Sequence, residues 1–175
     1  GSVQGYYMED GVRVPKEGRL YYRGIDVEDI VNDHAKNNSF GYEEVAYLLL
    51  FGKLPTQQEL NLFQTVLSQT SALPGGFFED VIMRAPSDNV MNMLSRSVLG
   101  LYAYDRNPDD TSLENVMRQS IELMARVPVI VANAYSVRRH YFSGKSMYIH
   151  NPKQGLGTAQ NFLRVLRKDK CYTDE

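Results

Sequence analysis

Histidine and cysteine are the side chains most often used as metal ligands or nucleophiles, and this sequence has few of them. The three histidines, His34, His140 and His150, lie too far apart to form a metal-binding signature, and Cys171 has no second cysteine with which to make a thiolate pair. His34 has helical spacing with nearby apolar residues, which is more typical of a hydrogen-bonded core or boundary histidine than of a ligand or base. We therefore predict no metal site.

Two pairs of adjacent acids are the next candidates, because general acid–base chemistry often uses two carboxylates. Glu43 and Glu44 are neighbours in sequence, as are Asp109 and Asp110, and adjacent residues on a helix point about 100° apart. Negative charge near a helix start is favourable, and that role explains both pairs better. We predict that neither pair is catalytic.

Backbone donors and basic side chains are candidates for anion binding. Residues 155–157, Gly-Leu-Gly, precede a predicted helix and remain an anion-site candidate, although they follow no predicted strand. The densest basic patch contains Arg138, Arg139, His140 and Lys145, and it could meet a phosphate or a coenzyme tail if it lined a cleft. Positive charge also favours the carboxyl end of a helix, and we prefer that role. Since no ligand cluster with a recognised spacing occurs in the sequence, we predict no intrinsic cofactor.

The composition is that of an ordinary globular domain, with 175 residues of which 43% are hydrophobic and 23% charged. A net charge of -2 argues against nucleic acid or an anionic membrane as a partner. The longest apolar run, residues 127–132, is interrupted by Pro128 and is far shorter than the roughly 20 residues of a membrane span. Because a single unpaired cysteine suits a reducing compartment, we expect a cytoplasmic protein.

Strand-like patterning is confined to residues 5–24, where aromatic and β-branched residues stand between turn signals. In residues 25–175, apolar residues recur at helical spacing in about eight segments. The sequence thus predicts a mainly α fold with a small antiparallel β element near the amino terminus. No long linker interrupts the chain, which favours one helical unit over residues 1–175. Residues 1–2 have the composition of a scar left by a cleaved tag, and no targeting signal follows them.

Helix boundaries are predicted from capping residues. Thr56 with Glu59, and Thr111 with Glu114, have the three-residue spacing of a capping box, in which each side chain bonds a backbone N–H group of the other residue. The other predicted boundary signals are Ser87 and Thr158 as caps, Gly52 as a helix stop, Pro128 as a helix start or kink, and residues 173–175 as a further helix start.

Two segments resemble the citrate synthase family. Residues 21–30, Tyr-Tyr-Arg-Gly-Ile-Asp-Val-Glu-Asp-Ile, are similar to the family's strand, Arg-Gly turn and helix, and residues 40–56 are similar to its most recognisable amino-terminal block. Residues 91–98 and 125–130 resemble the family's long helix and its Arg-Ile-Pro junction. Residues 89–91, Asn-Val-Met, stand where the family has His-Pro-Met, so no role of that His or Pro transfers to this chain.

The resemblance implies the amino-terminal, large-domain portion of a citrate synthase of the bacterial type. Such enzymes belong to the tricarboxylic acid cycle and join acetyl-coenzyme A to oxaloacetate in a cleft between a large helical domain and a smaller one. In the family an Asp removes a methyl proton, one His stabilises the enol, another His protonates the attacked carbonyl, and arginines hold the dicarboxylate. These residues come later in the family chain, and this sequence has no His-Ala-Asp-His-Glu segment. We therefore assign no catalytic residue, leave the cofactor-binding residues unknown, and predict that the chain alone is inactive.

Two alternatives to a citrate synthase fragment stay open. The first is a fragment of a 2-methylcitrate synthase, which uses propionyl-coenzyme A and would share the same scaffold. The second is a helical interaction module that kept the scaffold without the catalytic residues.

A homodimer is expected through the helix around residues 88–104, because the family pairs large-domain helices across a two-fold axis. A partner could approach closely at the small residues Ser95, Ser97 and Gly100. The apolar area of this segment comes from Met91, Met93, Leu94, Val98 and Leu101. The alternative is that the segment is an ordinary intramolecular core helix.

Overall fold

The computed structural model describes residues 2–172, without the side chains of residues 3 and 4. These residues form two compact units, residues 2–64 and 65–172, and each is described by itself. The helix start predicted at residues 173–175 lies outside the described residues. The prediction of a mainly helical fold with a small antiparallel sheet is confirmed. The prediction of a single helical unit stays a prediction.

A small antiparallel sheet begins the first unit. Its strands are β1, Ser2–Glu9, β2, Val12–Tyr22, and the short β3, Ile25–Asp26, in the order β1-β2-β3. Asp10 and Gly11 connect β1 to β2 with φ angles of 47° and 79°. Two consecutive positive φ angles favour a tight hairpin whose twist matches that of the strands. The sheet extends the predicted β element by a few residues at each end.

Three helices follow the sheet: α1, Val27–Asn37, α2, Tyr42–Phe51, and α3, Gln57–Thr70, whose last turns belong to the second unit. Gly52 ends α2 with a φ of 80°, and its N–H group donates to the carbonyl of Leu48, so the predicted helix stop is confirmed. In the first unit, the rings of Tyr47, Phe51 and Phe63 pack against each other with centroids 4.4–6.2 Å apart.

The predicted capping box at the start of α3 is confirmed. The backbone N–H of Thr56 donates to Oε2 of Glu59 at 2.8 Å, and the backbone N–H of Glu59 donates to the Thr56 hydroxyl at 3.3 Å. Nζ of Lys53 also lies 2.7 Å from Oε1 of Glu59. The hydrogen bond from Lys53, followed by those from the backbone and hydroxyl of Thr56, lowers the pKa of Glu59 from 4.5 to about 2.

Glu59 should make the stability of the chain depend on pH in the acid range. Because its pKa is lower in the folded state, its contribution is fully present above pH 4.5 and is lost as the pH falls towards 2. We expect the free energy of unfolding in urea to fall less between pH 5 and pH 2.5 in Glu59→Gln than in the unchanged chain. The exposed Glu17→Gln is the matched control and should keep the original pH dependence. Equal slopes for Glu59→Gln and the unchanged chain would contradict this assignment.

The second unit is helical. It contains a π-helical segment, Phe78–Met83, then α4, Val90–Gly100, which runs into the 3-10 turn Leu101–Tyr104, followed by α5, Leu113–Ser143, and α6, Thr158–Leu166. The main core lies among these elements and is built from Phe77, Phe78, Ile82, Met93, Leu101, Ile130, Ala134 and Val137. None of the described helices is long and apolar enough to cross a membrane.

Two helix starts lie slightly downstream of the predicted caps. Asn89, rather than Ser87, caps α4, since its side chain accepts from the N–H of Asn92 at 3.0 Å, while the Ser87 hydroxyl accepts from the N–H of Asn89. At α5 the predicted box of Thr111 with Glu114 is wrong, because Ser112 is the cap and its hydroxyl accepts from the N–H of Asn115. The carboxylate of Asp110 accepts from both the N–H and the hydroxyl of Ser112, which holds Ser112 at the cap position.

The remaining boundary predictions concern Pro128 and Thr158. Pro128 neither starts nor ends a helix, because α5 continues through it as one helix of 31 residues. Val129 and Ile130, directly after Pro128, are almost fully buried, and this burial offsets the loss of one backbone donor. Thr158 is the first residue of α6 rather than its cap, and the cap position belongs to Gly157.

Two small residues of α4, Ser97 and Gly100, face the interior of the second unit. Ser97 is fully buried and its hydroxyl donates to the carbonyl of Met93 at 2.7 Å. A Cβ atom on Gly100 would lie 3.1 Å from Cγ1 of Val81, so the glycine allows the π-helical segment to approach α4. Ser97 and Gly100 therefore serve the intramolecular core, whereas Ser95 is exposed, and the homodimer through this helix stays a prediction.

Candidate functional site

His34 is a hydrogen-bonded boundary residue, as predicted. Its Nε2 lies 2.6 Å from Oε2 of Glu44 on α2, and its Nδ1 lies 2.7 Å from the hydroxyl of Ser39. A Cβ atom on Gly41 would lie 2.7 Å from the imidazole ring, so the absence of a side chain at Gly41 lets the two helices meet here. His34 links α1 to α2 within the first unit.

The other two histidines bind backbone carbonyl groups in the second unit. Nδ1 of His140 lies 3.0 Å from the carbonyl oxygen of Lys145, and Nε2 of His150 lies 3.1 Å from that of Lys168. Within residues 2–172, no three His, Cys, Asp or Glu side chains are arranged to hold a metal ion. All three histidines thus have scaffold contacts, and the absence of a bound metal stays a prediction.

The two acids of each pair have different surroundings, and the expectation that neither pair is catalytic stays a prediction. Glu44 contacts His34, whereas Glu43 is 2% exposed, which the sequence did not predict for a helix-start charge. Burial, followed by the charge of Glu43, raises the pKa of Tyr42. In the second pair, the Tyr102 hydroxyl donates to the carboxylate of Asp109, and this hydrogen bond raises the pKa of Tyr102.

The anion-site candidate at residues 155–157 is occupied by side chains of the chain itself. The N–H of Gly155 donates to the Ser68 hydroxyl at 3.1 Å, and the N–H of Gly157 donates to Oε1 of Gln160 at 3.1 Å. Because these two donors are engaged, they are not available to a phosphate without rearrangement of the loop.

Asn161 organises the loop before α6, and the sequence analysis did not identify it. Its side-chain oxygen accepts from the N–H of Lys153 at 2.8 Å, and its amide group donates to the carbonyls of Lys153 and Leu156. The residue is 4% exposed. An Asn four residues after Gly157 was the available signal, but the pairing depends on how the loop folds back.

The basic patch has structural contacts. Nη2 of Arg138 lies 2.8 Å from the carboxylate of Asp88, and its Nε donates to the carbonyl of Asp88, so Arg138 holds the segment that leads into α4. Arg139 lies over the ring of Tyr135, 5.7 Å from its centroid. These contacts engage both arginines within the second unit, and the predicted role of the patch at the carboxyl end of its helix stays a prediction.

The second unit has a cavity of about 250 Å³ between α4, the 3-10 turn and the first half of α5, which we call the α4–α5 cavity. Its walls combine apolar side chains with a few polar ones. The lining residues are Val98, Leu99, Leu101, Tyr102, Asp105, Pro108, Gln119, Glu122, Leu123 and Arg126.

An ion-pair network forms the polar side of the α4–α5 cavity. Arg118 lies 2.5 Å from the carboxylate of Asp105 and 2.8 Å from that of Glu122, and Arg126 lies 2.8 Å from the other oxygen of Glu122. A hydrogen bond from the N–H of Asn107, together with those from Gln119 and Arg118, lowers the pKa of Asp105. The carboxylate of Asp105 is therefore held in the charged form by donors, an arrangement suited to stabilising the loop rather than to proton transfer.

Comparisons with known proteins agree with one another. Residues 9–175 match the family described as "Citrate synthase, C-terminal domain". A citrate synthase of Saccharolobus solfataricus is 31% identical over 160 residues, which are 91% of this chain and 39% of that protein. A 2-methylcitrate synthase of Corynebacterium glutamicum is also 31% identical, over 87% of this chain and 37% of that protein. The chain thus spans about two fifths of the length of these relatives.

Solved structures show the same likeness. The citrate synthase of Pyrobaculum aerophilum superposes with a TM-score of 0.69 at 28% identity, covering 85% of this chain and 36% of that chain. The citrate synthase of Thermoplasma acidophilum, solved as a ternary complex with carboxymethyl coenzyme A and oxaloacetate, has a TM-score of 0.64 at 26% identity. Since the family match extends over nearly the whole sequence and the helical fold agrees with that of two citrate synthases, this chain belongs to the citrate synthase family.

Proposed function

We propose that the chain is the large-domain portion of an enzyme that condenses acetyl-coenzyme A with oxaloacetate and, with water, releases citrate and coenzyme A. The match over residues 9–175 carries this proposal. The likeness to a structure solved with a coenzyme A derivative and oxaloacetate supports the substrate class. The thioester is a substrate of the whole enzyme, and we propose no resident cofactor. We keep the cytoplasm as the expected compartment because of the single cysteine.

We also propose that the chain alone does not catalyse the condensation. The reaction requires groups that stabilise the transition state more strongly than the substrates, and by resemblance these are a His pair, an Asp and several arginines. His34, His140 and His150 each contact the scaffold and lie far apart in sequence.

Purified chain should therefore release no free thiol from acetyl-coenzyme A in the presence of oxaloacetate above the rate without protein. The measurement is a colorimetric thiol assay at protein concentrations up to about 100 times those used for an active citrate synthase, which serves as the positive control. Thiol release that is proportional to the chain concentration would overturn this proposal.

The second candidate reaction is the condensation of propionyl-coenzyme A with oxaloacetate to give 2-methylcitrate. It is kept because the citrate synthase and the 2-methylcitrate synthase above are equally identical to this chain. The product of the complete gene, assayed with both thioesters, decides between the two reactions through the ratio of their kcat/KM values.

A non-catalytic interaction module is the alternative from another class. Sequencing the gene beyond the codon of Glu175 separates it from the enzyme, because a continuing frame that encodes a His-Ala-Asp-His-Glu type segment would exclude the module.

We further propose that the chain self-associates as a homodimer through the region of residues 88–104. Nucleic acid and membranes are not among the proposed partners.

A further inference from the structure

Three side chains in the first unit form a continuous chain of hydrogen bonds that the proposed condensation does not use. The hydroxyl oxygen of Ser39 lies 2.7 Å from Nδ1 of His34, and Nε2 of His34 lies 2.6 Å from Oε2 of Glu44. The imidazole ring thus has a hydroxyl group on one side and a carboxylate on the other. Serine hydrolases use this order of groups, a nucleophile, a base and an acid that orients the base.

The two contacts determine the roles of the ring nitrogens. An ionised carboxylate can only accept a hydrogen bond, so Nε2 of His34 carries a proton and donates to Glu44. In a neutral ring the other nitrogen, Nδ1, is then an acceptor, and it accepts from the hydroxyl of Ser39. The proton of the Ser39 hydroxyl therefore points at a nitrogen that can receive it.

The backbone places the three groups at different depths. The C-cap residue of α1, Asn38, has the left-handed φ of 48°, and the N–H of Ser39 donates to the carbonyl of His34 at 3.0 Å. This turn brings Ser39 back beside the ring. The side chains of His34 and Glu44 are 14% and 23% exposed, whereas Ser39 is exposed. The base and the carboxylate are thus shielded, while the hydroxyl group is open to a molecule from solvent.

The start of α2 lies against the same ring. A Cβ atom on Gly41 would lie 2.7 Å from Cδ2 of His34, so the backbone here contacts the imidazole. No side chain among the described residues caps this helix start. The N–H groups of a first helical turn point away from the helix and carry partial positive charge, which stabilises a negative oxygen atom. The start of α2 can therefore donate to the oxyanion that forms when Ser39 attacks a carbonyl group.

We propose that Ser39, His34 and Glu44 form a hydrolytic site for small esters of phenols, with Ser39 as the nucleophile, His34 as the general base and Glu44 as the positioning residue. Phenol esters are the substrate class because a phenolate is a weak base and leaves easily, so a site that makes few contacts with its substrate can cleave them. The proposal is separate from the condensation proposed above, since no step uses oxaloacetate or coenzyme A.

The reaction has two steps that together consume one water molecule. In the first step, Oγ of Ser39 attacks the ester carbonyl carbon while its proton passes to Nδ1 of His34. The bond to the phenol oxygen breaks, that oxygen takes the proton from Nδ1, and the acyl group remains on Oγ. In the second step, water gives a proton to Nδ1 and attacks the acyl carbonyl, and Oγ leaves with that proton. The carboxylate of Glu44 stabilises the imidazolium that forms in each step.

The first test is covalent labelling of the unchanged chain. A fluorophosphonate reacts with serine hydroxyl groups that a neighbouring base activates. Peptide mass spectrometry should locate the label on Ser39, and another exposed serine, Ser146, is the internal control that should stay unlabelled. Chain unfolded in urea should not be labelled, because the hydrogen bonds to His34 are then lost.

The second test is the hydrolysis of p-nitrophenyl acetate, followed by the absorbance of nitrophenolate. Ser39→Ala should lower the rate at least about tenfold, while its melting temperature shows that the chain still folds. Ser146→Ala is the matched control and should keep the rate. His140→Ala, at an exposed histidine, controls for direct attack by a surface imidazole and should keep the rate as well.

The third test separates a positioning role from a structural one. Glu44→Gln can still accept from Nε2 of His34 but has no charge to stabilise the imidazolium, so kcat should fall at least about tenfold while KM stays within about twofold. Gly41→Ala puts a methyl group where the ring lies and should also lower kcat, because the base is displaced from Ser39.

Several results would overturn the site. These are an unlabelled Ser39, equal labelling of Ser39 and Ser146, an unchanged rate in Ser39→Ala, or an unchanged kcat in Glu44→Gln. A rate that falls as far in His140→Ala as in Ser39→Ala would assign the hydrolysis to exposed imidazoles instead. The thiol assay with acetyl-coenzyme A and oxaloacetate tests the condensation by a different product, so the two proposals fail separately.

Discussion

Replacement of Asn161 by alanine should destabilise the second unit by about 3 kcal/mol, because this buried side chain makes three hydrogen bonds to backbone groups of the loop before α6. Alanine removes the acceptor for the N–H of Lys153 and both donors for the carbonyls of Lys153 and Leu156. Each such hydrogen bond contributes about 1 kcal/mol, and the loop cannot rearrange freely because Gly155 and Gly157 are also bonded.

Thermal and urea unfolding of Asn161→Ala measure this effect, and the melting temperature should fall by about 10 °C or more. Asn151→Ala, at an exposed asparagine of the same loop, is the matched control and should change the free energy of unfolding by less than about 0.5 kcal/mol. If the two variants unfold alike, water replaces the Asn161 side chain without cost and the loop does not depend on it.

The second large effect is expected at Ile130, which has no exposed surface and lies at the centre of the main core of the second unit. Ile130→Ala removes three methyl or methylene carbons and leaves a cavity between α5, the π-helical segment and α4. A loss of about 2–5 kcal/mol follows from the lost burial and from the limited ability of packed helices to close the space. The conservative Ile130→Val should cost only about 0.5–1.5 kcal/mol.

Urea unfolding followed by far-ultraviolet circular dichroism measures both Ile130 variants, and Leu62→Ala provides the control at a leucine that is 66% exposed. A change within about 0.5 kcal/mol is expected for Leu62→Ala. The assignment of the core would be wrong if Ile130→Ala were as stable as Leu62→Ala. A low denaturant slope in Ile130→Ala would instead indicate that the variant no longer unfolds in a two-state manner.

Local sequence patterns were sufficient to predict the structural elements that depend on a few consecutive residues. The strand signals before residue 24, the capping box of Thr56 with Glu59, and the stop at Gly52 were all predicted and are confirmed. For the capping box and the helix stop, the partners lie within four residues of one another in sequence. Tertiary contacts have little influence on such local hydrogen bonds.

The boundaries that depend on competition between neighbouring groups were less predictable. Ser112 displaced Thr111 as the cap of α5 because Asp110 binds both its N–H and its hydroxyl. Pro128 did not end the helix because the residues after it are buried on more than one side. Propensity and capping rules describe a residue in isolation, and burial by distant segments outweighs them when several apolar side chains are involved.

The family was predicted from motif resemblance rather than from candidate catalytic side chains, because the spacing of the histidines and of the paired acids indicated no reactive cluster. Among the described residues, the three histidines contact three different partners. The resemblance of segments 21–30 and 40–56 to citrate synthases is confirmed by the family match over residues 9–175.

Only the tertiary structure decided which face of each helix is internal. Ser97 and Gly100 were expected to admit a second copy, yet they pack against the carbonyl of Met93 and the side chain of Val81 within the same unit. The opposite side of α4, with Leu99, is the one left exposed beside a cavity. The helical period of a sequence identifies two faces, but α4 has apolar residues on both. The partner of each face is determined by segments far away in the chain, whose positions no local pattern encodes.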